Sequence, residues 1–298
     1  MLACERQRMT DLREPWRDLL ARRRALAASL APYAEMLERW SAWTPPGRAL
    51  TWSAARCRES WARGVPLAAE APPPLGVDDV EDLLGAAMED VAARDSMRAA
   101  ALQRLAGAWD AGAIGPQALL PSREGIGEGR VESASGLDTA AVTFLAYATL
   151  RPALEAWLAP ARPHFEGVDW GRGVCPFCGA PPGFADVVEG GHRRLTCHFC
   201  GGAWGFAKLR CPLCGVEGTK DLRRLQAEAE DAGYVITGCR ACRGYLKELD
   251  RRERWNGGPP VLEDWASPHL DLVARREGFA KPVPALLDLA AAPGLGAG

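Results

Sequence analysis

Through the first half of the chain apolar residues recur every three or four positions, with polar residues between them, and this spacing predicts a series of helices. Leu12, Trp16, Leu19, Leu20 and Leu26 mark one apolar face, and Met36, Leu37, Trp40 and Trp43 mark a second that begins after Pro32. Pro45-Pro46-Gly47 separates these from a third helix expected to contain Trp52 and Trp61. The run Ala71-Pro72-Pro73-Pro74-Leu75-Gly76 breaks the chain again, ahead of Asp78 and Asp79, acidic residues suited to a helix N-terminus. Val80, Leu83, Leu84, Ala87, Met88 and Val91 then repeat at helical intervals, and a further helix should carry Met97, Leu102, Leu105 and Trp109. Leu137, Ala141, Phe144, Leu145 and Ala148 form the last amphipathic face of this half. Between them, Gly125 to Arg130 reads as a loop, because its glycines match neither a dinucleotide-binding nor a phosphate-loop spacing and no strand precedes them.

The pattern changes at about Trp170. Phe184 to Val188 and Tyr234 to Thr237 are short β-leaning runs set among many glycines. Phe184 to Val188 can run up, Glu189-Gly190-Gly191-His192 can turn, and Arg193 to Thr196 can return as a hairpin. Beyond Asn256-Gly257-Gly258-Pro259-Pro260 the pattern becomes helical again, and the last seven residues, Ala-Pro-Gly-Leu-Gly-Ala-Gly, should fray.

Composition adds limits. The 298 residues carry 36 basic and 38 acidic side chains, a formal charge of -2, and 48% hydrophobic content, which excludes a disordered or collagen-like chain. The first residues hold Glu5, Arg6, Arg8 and Asp11 where an export signal would need an apolar stretch, so a cytoplasmic protein is expected. The most apolar run, Thr139 to Leu150, is followed by Arg151 and Pro152 and is too short for a hydrocarbon layer about 30 Å thick, so no membrane insertion is expected.

The chemistry lies in the cysteines. Of ten, Cys4 and Cys57 stand alone and read as ordinary free thiols. The other eight form four C-x-x-C pairs: Cys175 and Cys178, Cys197 and Cys200, Cys211 and Cys214, Cys239 and Cys242. In a reducing compartment paired cysteines read as metal ligands or redox groups. A tetrahedral thiolate site needs four sulfurs about 2.3 Å from one ion, which two such knuckles joined by a hairpin can supply. Sequential pairing gives Cys175, Cys178, Cys197 and Cys200 one site and Cys211, Cys214, Cys239 and Cys242 the other. A cross-brace, with the first and third pairs sharing an ion, stays open. Gly179, Gly201 and Gly215 directly follow three knuckles, while Arg243 and then Gly244 follow the fourth, at a position that favours positive φ. His192 and His198 are expected to tune a site or face solvent, because four cysteines already complete it, and Trp204 is expected to pack against a site. His164 and His269 have no partner motif. Arg193, Arg194, Arg223, Arg224, Arg251 and Arg252 read as a solvated basic face. From Trp170 to Trp255 there are 14 basic and 10 acidic side chains, a balance that two thiolate-bound divalent ions would cancel, so no nucleic-acid partner is expected. A nucleic-acid-binding zinc ribbon and a thiol-redox protein are the alternative readings.

These segments resemble the formate dehydrogenase accessory (formation) proteins, the FdhE family. The resemblance is carried by Val174-Cys175-Pro176-Phe177-Cys178-Gly179, by Arg194 to Cys200 with Trp204 downstream, and by Arg210-Cys211-Pro212-Leu213-Cys214-Gly215. It continues in Cys239 to Lys247, and in Glu263 to Leu272 followed by Glu277-Gly278-Phe279. The resemblance implies an α+β protein: a mostly α-helical N-terminal domain over 1–168, rubredoxin-like or zinc-ribbon-like modules over 169–206 and 207–256, and a C-terminal helical segment with its tail over 257–298. It implies no catalysis by the chain itself. It further implies a maturation factor that binds the catalytic subunit of respiratory formate dehydrogenase in the cytoplasm before export, with iron in both sites, zinc as the alternative, and a redox role for the iron. Oligomeric state, a homodimer included, is left open. The charged fourth knuckle, with Arg240 and Arg243, marks the second site as the one most open to exposure.

Overall fold

The computed structural model describes residues 11–46, 52–122, 125–226 and 231–289. Cys4, Gly47 and the C-terminal tail lie outside these residues.

The chain begins with α1 (Arg13–Arg22), which buries Trp16 and Leu19, and α2 (Ala27–Ala42), which buries Leu30, Tyr33, Met36, Leu37 and Trp40. Pro32 lies inside α2 and does not mark its start. Having no N–H, it gives up one early backbone bond, while the apolar stripe on either side of it still reaches the core. In α3 (Ala54–Ala62) the Ser53 side chain accepts from the Arg56 N–H, so Trp52 falls just outside the helix instead of within it. Next come α4 (Leu67–Glu70) and α5 (Glu81–Arg94). Glu81 and Asp82 occupy the first turn of α5, and Asp79 instead accepts from the Gly76 N–H to close the preceding turn. α6 (Ala99–Asp110) buries Leu102, Leu105 and Trp109, whereas Met97 precedes it and is 86% exposed.

A two-residue ribbon, β1 (Pro121–Ser122) with β2 (Gly125–Ile126), leads into α7 (Arg130–Ser135) and α8 (Thr139–Leu158). The glycine-rich piece is thus a tight turn, where Gly127 has φ +51° and a Cβ would lie 1.9 Å from the Ala118 carbonyl oxygen. Asp138 caps α8 by accepting from the Ala141 N–H. The expected amphipathic face is replaced by a helix buried on every side from Ala141 to Glu155, running through Arg151 and Pro152. It is the axis on which the helical half packs. No described helix is long and apolar enough to cross a membrane.

The remaining strands are β3 (Phe184–Val187), β4 (Arg193–Thr196), β5 (Ala203–Gly205), β6 (Leu222–Gln226), β7 (Tyr234–Cys239) and β8 (Tyr245–Asp250). They form a single sheet in the order β5-β4-β3-β8-β7-β6. Neighbours run antiparallel except β3 and β8, which pair in parallel with Ala185 opposite Glu248 and Val187 opposite Asp250. Each cysteine-rich half contributes three strands, and the parallel seam joins them. Gly173 tightens the contact, since a Cβ there would lie 1.6 Å from the Pro212 carbonyl oxygen.

Two short helices follow: α9 (Pro260–Trp265) returns to the helical half, while α10 (Pro268–Arg276) packs Leu270 and Ala274 with Tyr234, Ile236 and Tyr245 of the sheet. Trp265 is the anchor. It stacks on Tyr33 with ring centroids 4.5 Å apart, meets Trp16 edge-on at 6.1 Å, and lies 5.6 Å from Trp40. Aromatic pairs of this kind add about 0.5–1.5 kcal/mol each to the area they bury.

Trp265→Ala should therefore cost about 3–5 kcal/mol. Urea unfolding monitored by circular dichroism at fixed metal content will measure this. A loss below about 1 kcal/mol would show that the C-terminal segment is not anchored through this ring.

Candidate metal centres

All four C-x-x-C pairs fold into one repeated turn. The N–H of the residue after each pair donates to the first cysteine's carbonyl, from Gly179, Gly201, Gly215 and Arg243, at 2.9–3.0 Å. The first cysteine's own N–H donates to Ala180, Gly202, Val216 and Gly244 respectively, at 2.8–2.9 Å. This closure forces positive φ after the second cysteine: +86° at Gly179, +68° at Gly201, +80° at Gly215 and +59° at Arg243. Left-handed backbone costs a non-glycine residue about 1–2 kcal/mol. At Arg243 the side chain offsets that cost by donating to the Glu277 and Gly278 carbonyls and lying 4.7 Å from the centre of the Phe279 ring.

The turns bring the eight sulfurs together in two groups of four, Cys175, Cys178, Cys197 and Cys200, and Cys211, Cys214, Cys239 and Cys242, with all sulfurs of a group within 4.8 Å of one another. The grouping is sequential, not crossed. In the first group Cys175 Sγ is 3.5 Å from Cys200 Sγ, and Cys178 Sγ is 3.4 Å from Cys197 Sγ. The corresponding distances in the second are 3.8 Å for Cys211 and Cys242 and 3.7 Å for Cys214 and Cys239. None of the eight is in a disulfide. Four sulfurs about 2.3 Å from a tetrahedral ion stand roughly 3.8 Å apart. Both donor sets therefore fit a thiolate-bound zinc or iron ion.

Their surroundings differ. The first group is wholly buried and belongs to the main hydrophobic core, with Phe177, Phe199 and Trp204. The helical half takes up its backbone polar groups. Trp61 Nε1 and the Leu67 N–H donate to the Pro176 carbonyl, and the Ala68 N–H donates to that of Phe177. On the second knuckle Arg151 donates to the His198 carbonyl and Arg162 to that of Cys200. Both guanidinium groups are held by Glu155, and Arg151 also lies over the Trp40 ring. These cations face a cluster that would carry net negative charge once its sulfurs bind a divalent ion.

Burial pushes the Cys175 and Cys178 thiols well above their ordinary value. Burial acts on Cys200 in the same sense, but hydrogen bonds from the neighbouring cysteines and from the Gly202 backbone bring it well below. Four adjacent buried sulfurs thus favour at most partial ionisation without a cation, and an ion at their centre would make all four thiolates usable.

In the second group only Cys211 and Cys239 are buried, whereas Cys214 and Cys242 are exposed. Hydrogen bonding from the Val216 backbone holds Cys214 below its ordinary value, and partial burial pushes Cys242 up to about 12. None of these four sulfurs belongs to either hydrophobic core cluster.

A buried ionic network lies beside the first group. His198 Nε2 is 2.9 Å from Asp264 Oδ2, so the knuckle histidine is oriented by a carboxylate and does not face solvent. Lys247 Nζ is 3.0 Å from Asp264 and 2.7 Å from Asp271, and Lys281 Nζ is 2.8 Å from Asp264 and 3.4 Å from both Asp271 and Asp288. Tyr245 donates to Asp271 at 2.7 Å. Burial would raise the Asp264 carboxyl, but Lys247 and Lys281 reverse this and hold it far below the usual range. The network ties the second knuckle to β8, α9 and α10. His164 hydrogen-bonds with the Trp52 carbonyl, and His269 pairs with Asp231. His192 ends the β3–β4 turn.

The expected basic face is largely spent on ion pairs. Arg193 is buried against Glu248, Arg194 and Arg251 share Asp186, Arg223 meets Glu277, and Arg252 meets Asp250. Trp204 is buried as expected, with its indole N–H on the Arg172 carbonyl, and Cys57 is a buried free thiol.

No family model matches the chain. Curated proteins described as "Protein FdhE homolog" do. That of Stutzerimonas stutzeri is 35% identical over 119 residues, 38% of this chain and 38% of its own. That of Aquifex aeolicus is 30% identical over 153 residues, 49% of this chain and 52% of its own, and that of Pseudomonas aeruginosa is 32% identical over 164 residues, 51% and 50%. The matched stretch thus spans between about two fifths and one half of these relatives. Among solved structures, the crystal structure of the FdhE protein from Pseudomonas aeruginosa has a TM-score of 0.58 and 25% identity, covering 94% of this chain and 96% of that one.

Two substitutions test these contacts. Arg243→Gly relieves the left-handed backbone but removes the clasp on residues 277–279, for a net loss of about 1 kcal/mol. Hydrogen exchange should accelerate at the Tyr245 and Ala280 amides, which bond across that clasp, and unchanged exchange there would refute it. Asp264→Asn leaves Lys247 and Lys281 short of a buried partner and should cost about 3–5 kcal/mol in denaturant unfolding at pH 7. Because the folded carboxyl titrates below its unfolded value, this stabilisation is fully present above about pH 4 and is lost as pH falls through the folded value. A cost under 1 kcal/mol at pH 7 would show that the network does not depend on Asp264.

Proposed function

We propose, from its likeness to the FdhE proteins, that the chain is a member of that family and a non-enzymatic maturation factor for formate dehydrogenase. It binds the catalytic subunit in the cytoplasm before export and holds iron of the rubredoxin type at Cys175, Cys178, Cys197 and Cys200 and at Cys211, Cys214, Cys239 and Cys242, with zinc the competing ion. The observation that carries the reading is the pair of four-sulfur clusters at tetrahedral spacing in a chain with this family relationship. The proposed modules run over 169–206 and 207–256, after a helical domain over 1–168 and before the C-terminal segment over 257–298.

The two sites support different parts of this role. The first binds its ion within the protein core, where the ion holds β3, β4 and the helical half together. The second places two sulfurs at the surface, where a partner can approach. The ion pairs of Arg193, Arg194, Arg223, Arg251 and Arg252 compensate most of the arginines of the expected basic face, and this favours a protein partner over a nucleic-acid backbone.

The test is to purify the full chain from iron-supplied cells that also express the catalytic subunit. The expected result is two metal ions per chain, visible thiolate-to-iron absorption and co-purification of the subunit. Colourless protein with two zinc ions would refute the iron assignment and with it a redox role, and absence of the subunit would refute the partner assignment. Cys175→Ser and Cys239→Ser should each lose about one ion per chain, and wild-type metal content in both would refute the ligand assignment.

A further inference from the structure

The two clusters use the same knuckle but differ in what encloses it. At the first, all four sulfurs are buried, the helical half hydrogen-bonds the carbonyls of Pro176, Phe177, His198 and Cys200, and Phe177 packs edge-on against Trp61. A ligand could reach this ion only after the helical half had moved away from the knuckles. At the second, Cys211 and Cys239 are buried and line, with Leu213, Leu222, Thr237 and Tyr245, a void of only about 10 Å3. The outer sulfurs of Cys214 and Cys242 are exposed, as are the neighbouring Arg240 and Arg243. Each outer sulfur belongs to the second cysteine of its knuckle, so both open positions are on one side of the cluster.

We infer that the second cluster is a metal-exchange site, which gives up or takes on its ion through Cys214 and Cys242 to a soft anionic ligand such as a thiolate, while the first cluster keeps its ion for as long as the chain stays folded. The inference rests on reading the eight cysteines as metal ligands. The step is ligand substitution with no change of oxidation state. An incoming thiolate bonds to the ion as the bond to Cys214 or Cys242 breaks, and the freed sulfur either remains a thiolate or takes a proton from water. A second thiolate displaces the other outer sulfur and two more then replace Cys211 and Cys239, so that the ion leaves bound to incoming thiolates and each freed cysteine stays a thiolate or takes a proton from water. Arg240, exposed within the fourth knuckle, supplies positive charge near the arriving anionic ligand, while the Arg243 side chain is held on residues 277–279. Opening of this kind needs only local movement, whereas the first cluster needs a sub-global one, and the two can differ in rate by a hundredfold or more, on the order of the span between fraying segments and core elements.

The experiment starts from the full chain loaded with two zinc ions, confirmed by metal analysis. The chromogenic chelator 4-(2-pyridylazo)resorcinol is then added, with and without glutathione. One ion per chain should be released in a fast phase that glutathione accelerates, and the other only when denaturant unfolds the chain. Release of both ions in one phase, or a fast phase indifferent to glutathione, would overturn the inference. Cys214→Ser and Cys242→Ser should abolish the fast phase while keeping one slow ion and the wild-type circular dichroism, and a fast phase surviving in both would also overturn it. If these variants fail to fold, brief iodoacetamide treatment of the loaded wild type followed by mass spectrometry gives the same answer. Label should reach Cys214 and Cys242 before Cys175, Cys178, Cys197 or Cys200, and even labelling would contradict the inference. A chain that binds no metal would defeat both this inference and the ligand reading, whereas failure to capture the formate dehydrogenase subunit would leave this inference standing.

Discussion

Four sulfurs packed side by side in a hydrophobic core can be held as thiolates only if positive charge is supplied at their centre and their backbone polar groups are satisfied around them. Much of the structure meets that constraint at the first cluster. Trp61, Leu67 and Ala68 take up the carbonyls of one knuckle, and Arg151 and Arg162 take up those of the other. Glu155 holds the two arginines, and the all-round burial of α8 keeps Arg151 and Glu155 dry. The helical half is therefore a wall of the site as well as a neighbouring domain.

The same enclosure extends to the C-terminal segment. His198 is in the second knuckle, yet its imidazole is fixed by Asp264 of α9, and Asp264 in turn shares Lys247 of β8 with Asp271 and Lys281 with both Asp271 and Asp288. Breaking one partner of a buried ion pair is far more costly than never having built the pair, so such a network commits its elements to a single arrangement. Trp265, the next residue of α9, inserts among Trp16, Tyr33 and Trp40. One short helix thus couples the first cluster to both the sheet and the N-terminal helices.

What could be read from the sequence was local. Knuckles are set by spacing over four residues and by a positive-φ residue after them, so all eight cysteines and the β3–β4 hairpin were legible before any coordinates, whereas the choice of sequential over crossed grouping needed the fold. Most helices were legible too, because their period is local, but their ends were not. Pro32 and Pro152 sit inside helices that tertiary packing sustains, and Met97 fits a helical period yet lies outside α6. Long-range pairing left no local mark. Arg193 reads as a surface residue until Glu248, 55 positions later, is placed beside it by the parallel seam of β3 and β8. Lys247, Asp264, Asp271, Lys281 and Asp288 are unremarkable as single letters, and only the fold makes them one network.

The seam also explains why one motif can serve two ends. A duplicated knuckle pair with its own three strands would ordinarily make two similar modules, each with two sheet edges to cover. Here β3 and β8 cover each other's edges, and this leaves the first cluster on the side where the helical half packs and the second on the side that faces away. Identical local geometry therefore ends in opposite environments, one dry and walled by cations, the other with half of its sulfurs at the surface. Arg243 records the difference at a single residue. At the first cluster glycines fill both left-handed positions, with Pro66 pressed against one and Arg151 and Arg162 close to the other, whereas at the exposed end there is room for a side chain that reaches out to hold residues 277–279. Enclosure by the rest of the chain, more than the ligand set, distinguishes the two centres.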